Sequence, residues 1–164
     1  MATSPEARPF TSFNFSVEIR VPFMGKGALC SAAFQECDGL EMNTEIKTVR
    51  EGGNNTRQIK MLGPVTYGAL TLKRGMTDSF DLWEWFDALQ HATPSQMRKQ
   101  MRANVDVVML PANPKGKETV RFILSNCLPM KLKAPALNGK EGGIAIEEMQ
   151  LAYESMRLKA PGKG

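Results

Sequence analysis

Residues Cys37–Asp78, CDGLEMNTEIKTVREGGNNTRQIKMLGPVTYGALTLKRGMTD, decide how the rest of the chain reads. Two alternating, strand-like segments flank the turn Gly52-Gly53-Asn54-Asn55, and a further strand, Ala69–Lys73, is expected after the break at Gly63-Pro64. From Glu41 to Met61 the hairpin holds seven charged residues: Glu41, Glu45, Lys47, Arg50, Glu51, Arg57 and Lys60. Only five residues there are plainly apolar: Met42, Ile46, Val49, Ile59 and Met61. A lone two-stranded ribbon is marginal in water even with a good apolar face, and this one is short of apolar surface. It is either an unsupported excursion or an arm that becomes ordered against another subunit. The second reading points towards assembly and away from catalysis.

Working outward, 164 residues suffice for one domain with a real core and not comfortably for two. The expected parts are an N-terminal extension over 1–12, the arm over 41–61, a helix over 79–91 and a tail over 159–164. Hydrophobic residues make up 42% and charged residues 23%, the balance of a folded soluble protein. A net charge of +4 is too mild for a nucleic-acid footprint, although a small basic β-barrel that binds nucleic acid remains a remote alternative. No apolar run nears the roughly 18 residues that span a bilayer, and the N-terminal stretch lacks a signal-peptide pattern, so a cytoplasmic subunit is expected. Cys30, Cys37 and Cys127 show no paired spacing and read as buried thiols.

Phe13 to Val21 alternates cleanly, with Phe13, Phe15, Val17, Ile19 and Val21 on one face, as in a strand with one buried side. A second short strand is expected over Ala28–Glu36. After Ala69–Lys73, Asp78 is placed to cap a helix in which Leu82, Trp83, Phe86 and Leu89 share the packing face and Trp85 lies on its flank. Pro94 ends that segment, and Ser95–Arg102 reads as a loop or short helical turn. Further strands are expected over Ala103–Leu110, Thr119–Leu128, Met130–Lys133 and Ile144–Leu158. The fold class is mainly β: an antiparallel barrel or sandwich of about seven or eight strands, with one flanking helix and an extended hairpin arm.

Chemistry finds little support. His91 sits at the carboxy end of the helix, where a cap or surface role suits it. Glu147 and Glu148 are adjacent on a strand, so they face opposite sides and cannot share a proton or a metal. The glycine pairs Gly52-Gly53 and Gly142-Gly143 precede no helix that would cradle phosphate. The expectation is no enzyme, with no catalytic residue, metal or cofactor.

The residues do carry a resemblance. The order FNFSVEI, AAFQECDGLE, VREGGNNTRQIKMLGPVTYGALTLKRGMTDSFDLWEWF and a late Ile-Ala-Ile-Glu-Glu strand resembles the tail tube protein family. Its members occur in contractile-tailed phages and in phage-derived extracellular contractile injection systems. The likeness covers about Phe13 to Leu158, and the segment Gln90–Asn104 departs from it in being longer and more basic.

That resemblance implies a β-barrel protomer in hexameric rings, stacked into a hollow inner tube that a contractile sheath drives through the target envelope. It implies partners: sheath subunits, baseplate or tube-initiator proteins, and cargo in the lumen, effector or DNA, with no membrane insertion of the subunit itself. The subunit would be made in the cytoplasm and carried in a phage tail or injection particle. The tube-initiator ring is the alternative role. The inter-subunit or inter-ring contacts implied on the arm are Glu45, Lys47, Val49, Arg50, Glu51, Gly52, Gly53, Asn54, Asn55 and Arg57. A lumen also requires strands with one wet face, and alternation proposes Thr71, Lys73, Lys131 and Lys133 for it.

Overall fold

The alternation that opens the chain forms β1, Phe15–Arg20, with Val17 and Ile19 fully buried. It pairs antiparallel with β6, Ala103–Met109, which pairs in turn with β7, Val120–Lys133. This computed structural model describes residues 12, 14–25, 27–29, 34–53, 56–99, 101–111 and 120–161. Residues 1–11 of the extension expected over 1–12, residues 30–33 of the strand expected over Ala28–Glu36, and the last three residues of the tail lie outside the described residues; of that expected strand, the described residues before Glu36 are not in strand conformation.

Nine strands are present among the described residues. Those not yet placed are β2 (Glu36–Asp38), β3 (Met42–Val49), β4 (Ile59–Tyr67), β5 (Ala69–Gly75), β8 (Ile146–Ala152) and β9 (Ser155–Lys159). One path runs β1-β6-β7-β8-β5-β2, with β9 also on β7, while β3 and β4 form a separate two-stranded ribbon. Among the described residues the path has two ends, so the sheet they form does not close into the barrel that alternation alone allowed. β7 explains the layout. Its first half lies between β6 and β9, and its second half pairs with β8.

One half-sheet is thus β1-β6-β7-β9 and the other β7-β8-β5-β2, the strands passing between them at a corner, a device bulges permit. At the corner the β6–β7 register shifts between Ala103 and Val105, and Asn126 takes φ 55°, the left-handed conformation Asn tolerates. The neighbouring strand breaks there too, so the single long strand expected over Ile144–Leu158 is β8 and β9 joined through Tyr153-Glu154. Conversely, the strands expected over Thr119–Leu128 and Met130–Lys133 join, from Val120 on, as one continuous β7. A register irregularity between Pro129 and Lys131 absorbs Met130, leaving it exposed while Leu132 packs on the core.

Val17, Ile19, Val105 and Leu124 of the first half-sheet share one core with Leu70, Leu72, Met149 and Leu151 of the second. Each such fully buried side chain contributes about 1.5–3 kcal/mol relative to exposure. Helix α1, Asp81–Gln90, packs on this core. Its cap residue is Phe80, with no side-chain cap bond, so Asp78 does not cap it. Pro94 does not only end a segment. It begins a short second helix, α2, Pro94–Lys99, where its missing N–H costs nothing. No helix among the described residues is long and apolar enough to cross a membrane.

Candidate assembly interface

The ribbon leaves the sheet between Gly39 and Gly68 and is longer than expected, because β4 runs straight through Gly63-Pro64 to Tyr67. The pairing goes from Thr44 opposite Val65 to Ile46 opposite Leu62, so Gly63 and Pro64 together face Glu45 in a β-bulge. A bulge tolerates a proline, which has no N–H to donate to the ladder. It also requires the glycine: a Cβ on Gly63 would lie 2.8 Å from the Glu45 carbonyl oxygen.

The bulge has a consequence for the faces. Register puts Met42, Thr44 and Ile46 on the same side as Tyr67, Val65 and Leu62. Met42, Ile46, Leu62 and Val65 are all exposed there, Leu62 at 79%. Leu62 and Val65 are the apolar residues that sequence counting missed, since they lie beyond the expected end of the arm. The opposite face carries Lys47 beside Met61 and Val49 beside Ile59, with Glu45 on the same strand, so it too exposes apolar side chains. Every described residue from Glu41 to Leu62 is exposed, which includes Glu45, Lys47, Val49, Arg50, Glu51, Gly52, Gly53 and Arg57. Asn54 and Asn55 lie outside the described residues.

The root of the ribbon, by contrast, is tied down. The Tyr153 hydroxyl accepts the Glu41 N–H at 3.1 Å and offers its proton to the carbonyls of Gly39 at 2.8 Å and Glu41 at 3.1 Å. Burial is the first cause pushing its pKa up, so it stays a donor. Its ring lies 5.4 Å from that of Tyr67. Gly39 has φ +92°, and a Cβ there would lie 1.9 Å from the Ala69 carbonyl oxygen, so only glycine lets the chain turn so close to β5. Sequence reasoning did not find Tyr153; a tyrosine at the end of an alternating strand is the only signal it gives.

The four candidates for a wet face do share one. Register across the second half-sheet aligns Asp38, Thr71, Gln150 and Lys131 in one row and Glu36, Lys73, Glu148 and Lys133 in the next. Lys73 donates to both Glu36 carboxylate oxygens at 3.1 Å, and that hydrogen bond raises its pKa first among the causes. The acids Glu36 and Asp38 thus mark one open edge, β2, and the bases Lys131 and Lys133 mark the other, β7. Short β2 was not expected at that position, so its acids were overlooked.

On α1, Leu82 and Trp85 are buried, with Trp85 at 0% exposure. Trp83, Phe86 and Leu89 are half-buried, Leu89 packing on the core from its edge. Trp85, expected on the flank, is therefore the deeper tryptophan, and its indole N–H reaches the Met101 carbonyl at 3.0 Å. Trp83 turns aside to donate to Glu147 at 2.9 Å, and the same buried carboxylate pairs with buried Arg74. Arg74 also donates to the Ser79 carbonyl at 3.1 Å, so one polar knot fastens the helix to β5 and β8.

Residues 11–157 match the family model described as T4-like virus tail tube protein gp19. Among solved structures, a chain in the six-fold symmetrised baseplate of the anti-feeding prophage is 26% identical, with 96% of this chain and 99% of that one covered and a TM-score of 0.78. A chain in the sheath–tube complex of the extracellular contractile injection system PVC is 19% identical, covers 97% and 99%, and has a TM-score of 0.75. A chain in the tube-terminating cap of the anti-feeding prophage is 18% identical, covers 97% and 96%, and has a TM-score of 0.77. The last two likenesses concern the fold alone. No curated protein matches this sequence. With a family match that spans nearly the whole chain and a fold shared end to end with injection-system proteins, this chain belongs to the T4-like tail tube protein family.

Proposed function

We propose that the chain is a structural subunit of the inner tube of a contractile particle, forming hexameric rings that stack into a hollow conduit. The observation that carries this is the β3–β4 ribbon, fixed at its root yet holding Met42, Ile46, Leu62 and Val65 exposed on one face. Apolar residues aligned on an unsupported ribbon call for a cover, and another copy of the subunit is the cover this reading assigns.

The open half-sheet supports the ring. Its four strands alternate in direction, so a copy related by rotation sets its β2 antiparallel beside this β7. Glu36 and Asp38 then meet Lys131 and Lys133 across the joint. Such a heterologous contact closes when the rotation closes, and it pairs both edges of this half-sheet. The polar rows containing Thr71, Lys73, Lys131 and Lys133 line the passage. The sheath surrounds the tube, the baseplate seeds it, and cargo travels inside. The subunit works as a passive conduit and not as an enzyme, made in the cytoplasm and carried in a phage tail or injection particle.

The ring that seeds the tube at the baseplate is a second reading, favoured by the 26% identity to a baseplate chain against 19% to the sheath–tube chain. Deletion of residues 49–57 tests the main proposal. Folded rings without long tubes in negative stain are expected, and long tubes from the deleted chain contradict it.

A further inference from the structure

We infer that Met42 is a methionine-oxidation site, and that its sulfoxide stops a free subunit from stacking, an inference that rests on the stacking role proposed above for the ribbon. The oxidant is of the hydroperoxide class.

The methionines of this chain divide sharply. Met101 and Met149 are 1% exposed, inside the protein, whereas Met42, Met61 and Met130 are 58%, 55% and 56% exposed. A thioether is soft and apolar like a leucine, yet mild oxidants turn it into a polar group. The three exposed ones stand on surfaces assigned above to neighbouring copies: Met42 and Met61 on the ribbon, Met130 on β7. Their surroundings differ. Met130 sits in the irregularity between Pro129 and Lys131, outside the regular ladder. Met61 stands opposite Lys47, whose ammonium is a donor for any oxygen placed there. Met42 shares its face with Ile46, Leu62 and Val65, the apolar residues that stacking would cover. It opens β3 one residue after Glu41, whose backbone the Tyr153 hydroxyl holds, so the thioether is fixed in place and still open to solvent.

The chemistry is an oxygen transfer. A sulfur lone pair attacks one oxygen of hydrogen peroxide, the S–O bond forms and the O–O bond breaks. The proton on the transferred oxygen passes to the departing one, which leaves as water. Sulfur loses two electrons and the peroxide gains them. The sulfoxide is a strong acceptor that water solvates on a free ribbon, but an apolar cover leaves it without a donor. Access to the sulfur also depends on assembly. A free subunit offers it to peroxide, and a covered ribbon does not, so oxidation removes unassembled subunits and spares the finished tube.

The test treats the full-length chain with hydrogen peroxide, following oxygen uptake at each methionine by peptide mass spectrometry and tube length in negative stain. Treated free subunits are expected to carry the sulfoxide at Met42 and to give tubes about tenfold shorter. Met42→Leu keeps the volume and the apolar surface without the thioether, and its tubes are expected to stay within about twofold of their untreated length. Met61→Leu is expected to leave the shortening in place. In finished tubes, Met42 is expected to take up oxygen at least about tenfold more slowly than in free subunits, with Met149 unreactive in both. Equal uptake at Met42 in tubes and free subunits, or equal shortening of the wild type and Met42→Leu, overturns the inference and leaves the stacking role of the ribbon standing. Untreated chains that form rings but never tubes would remove both.

Discussion

Tyr153 shows how much a single side chain settles. It sits at the break between β8 and β9, and its hydroxyl serves three backbone groups of the segment that enters the ribbon. Tyr153→Phe keeps the ring against Tyr67 but strands the buried end of that contact, at a cost of about 1–3 kcal/mol. Hydrogen exchange is expected to speed up at Glu41 and through β3, with β5 and β8 unchanged. Equal acceleration everywhere would mean that the tyrosine holds the whole sheet and not the ribbon root. Cys37 and Cys127 illustrate the inert side of the same core: burial pushes both thiols up to about 12, which keeps them protonated and unreactive.

Among elements, α1 depends on the knot that joins Arg74, Glu147 and Trp83. Glu147→Gln breaks the buried ion pair with Arg74, and about 3–5 kcal/mol of stability is expected to go in urea unfolding. Glu148→Gln, on the outer face one residue away, is expected to cost less than about 0.5 kcal/mol. A similar loss for both would contradict the account of α1 docking. The alternation that separates these two glutamates was legible in the sequence, as were β1, β5 and the helix. What it could not give was closure, because an open sheet and a barrel demand the same period of two. Nor could it show that Gly63-Pro64 lies inside a strand, since a bulge at Glu45 absorbs both residues and turns Leu62 and Val65 onto the face of Met42 and Ile46. The charged positions of the arm were therefore readable, and its apolar face was not. Trp85 was misplaced for a related reason: helical spacing gives a stripe, but the sheet it packs on chooses the centre of that stripe.

As a whole, the molecule is an open structure with its borders sorted. Acids mark the β2 edge, bases mark β7, apolar residues face outward on the ribbon, and Met76, Ile144 and Ile146 are exposed at the far end of β5. An exposed sheet edge invites pairing, and under the proposed function this sorting would direct it to copies of the same chain in two directions, around a ring and along an axis. Each contact can be weak, because repetition multiplies it. The most direct measurement is an electron cryomicroscopy reconstruction of the assembled particle. The account predicts Met42, Ile46, Leu62 and Val65 covered by a subunit of the adjoining ring, with β7 of each copy paired to β2 of the next. A ribbon folded back on its own sheet, or left in solvent while rings stack through other surfaces, would contradict it.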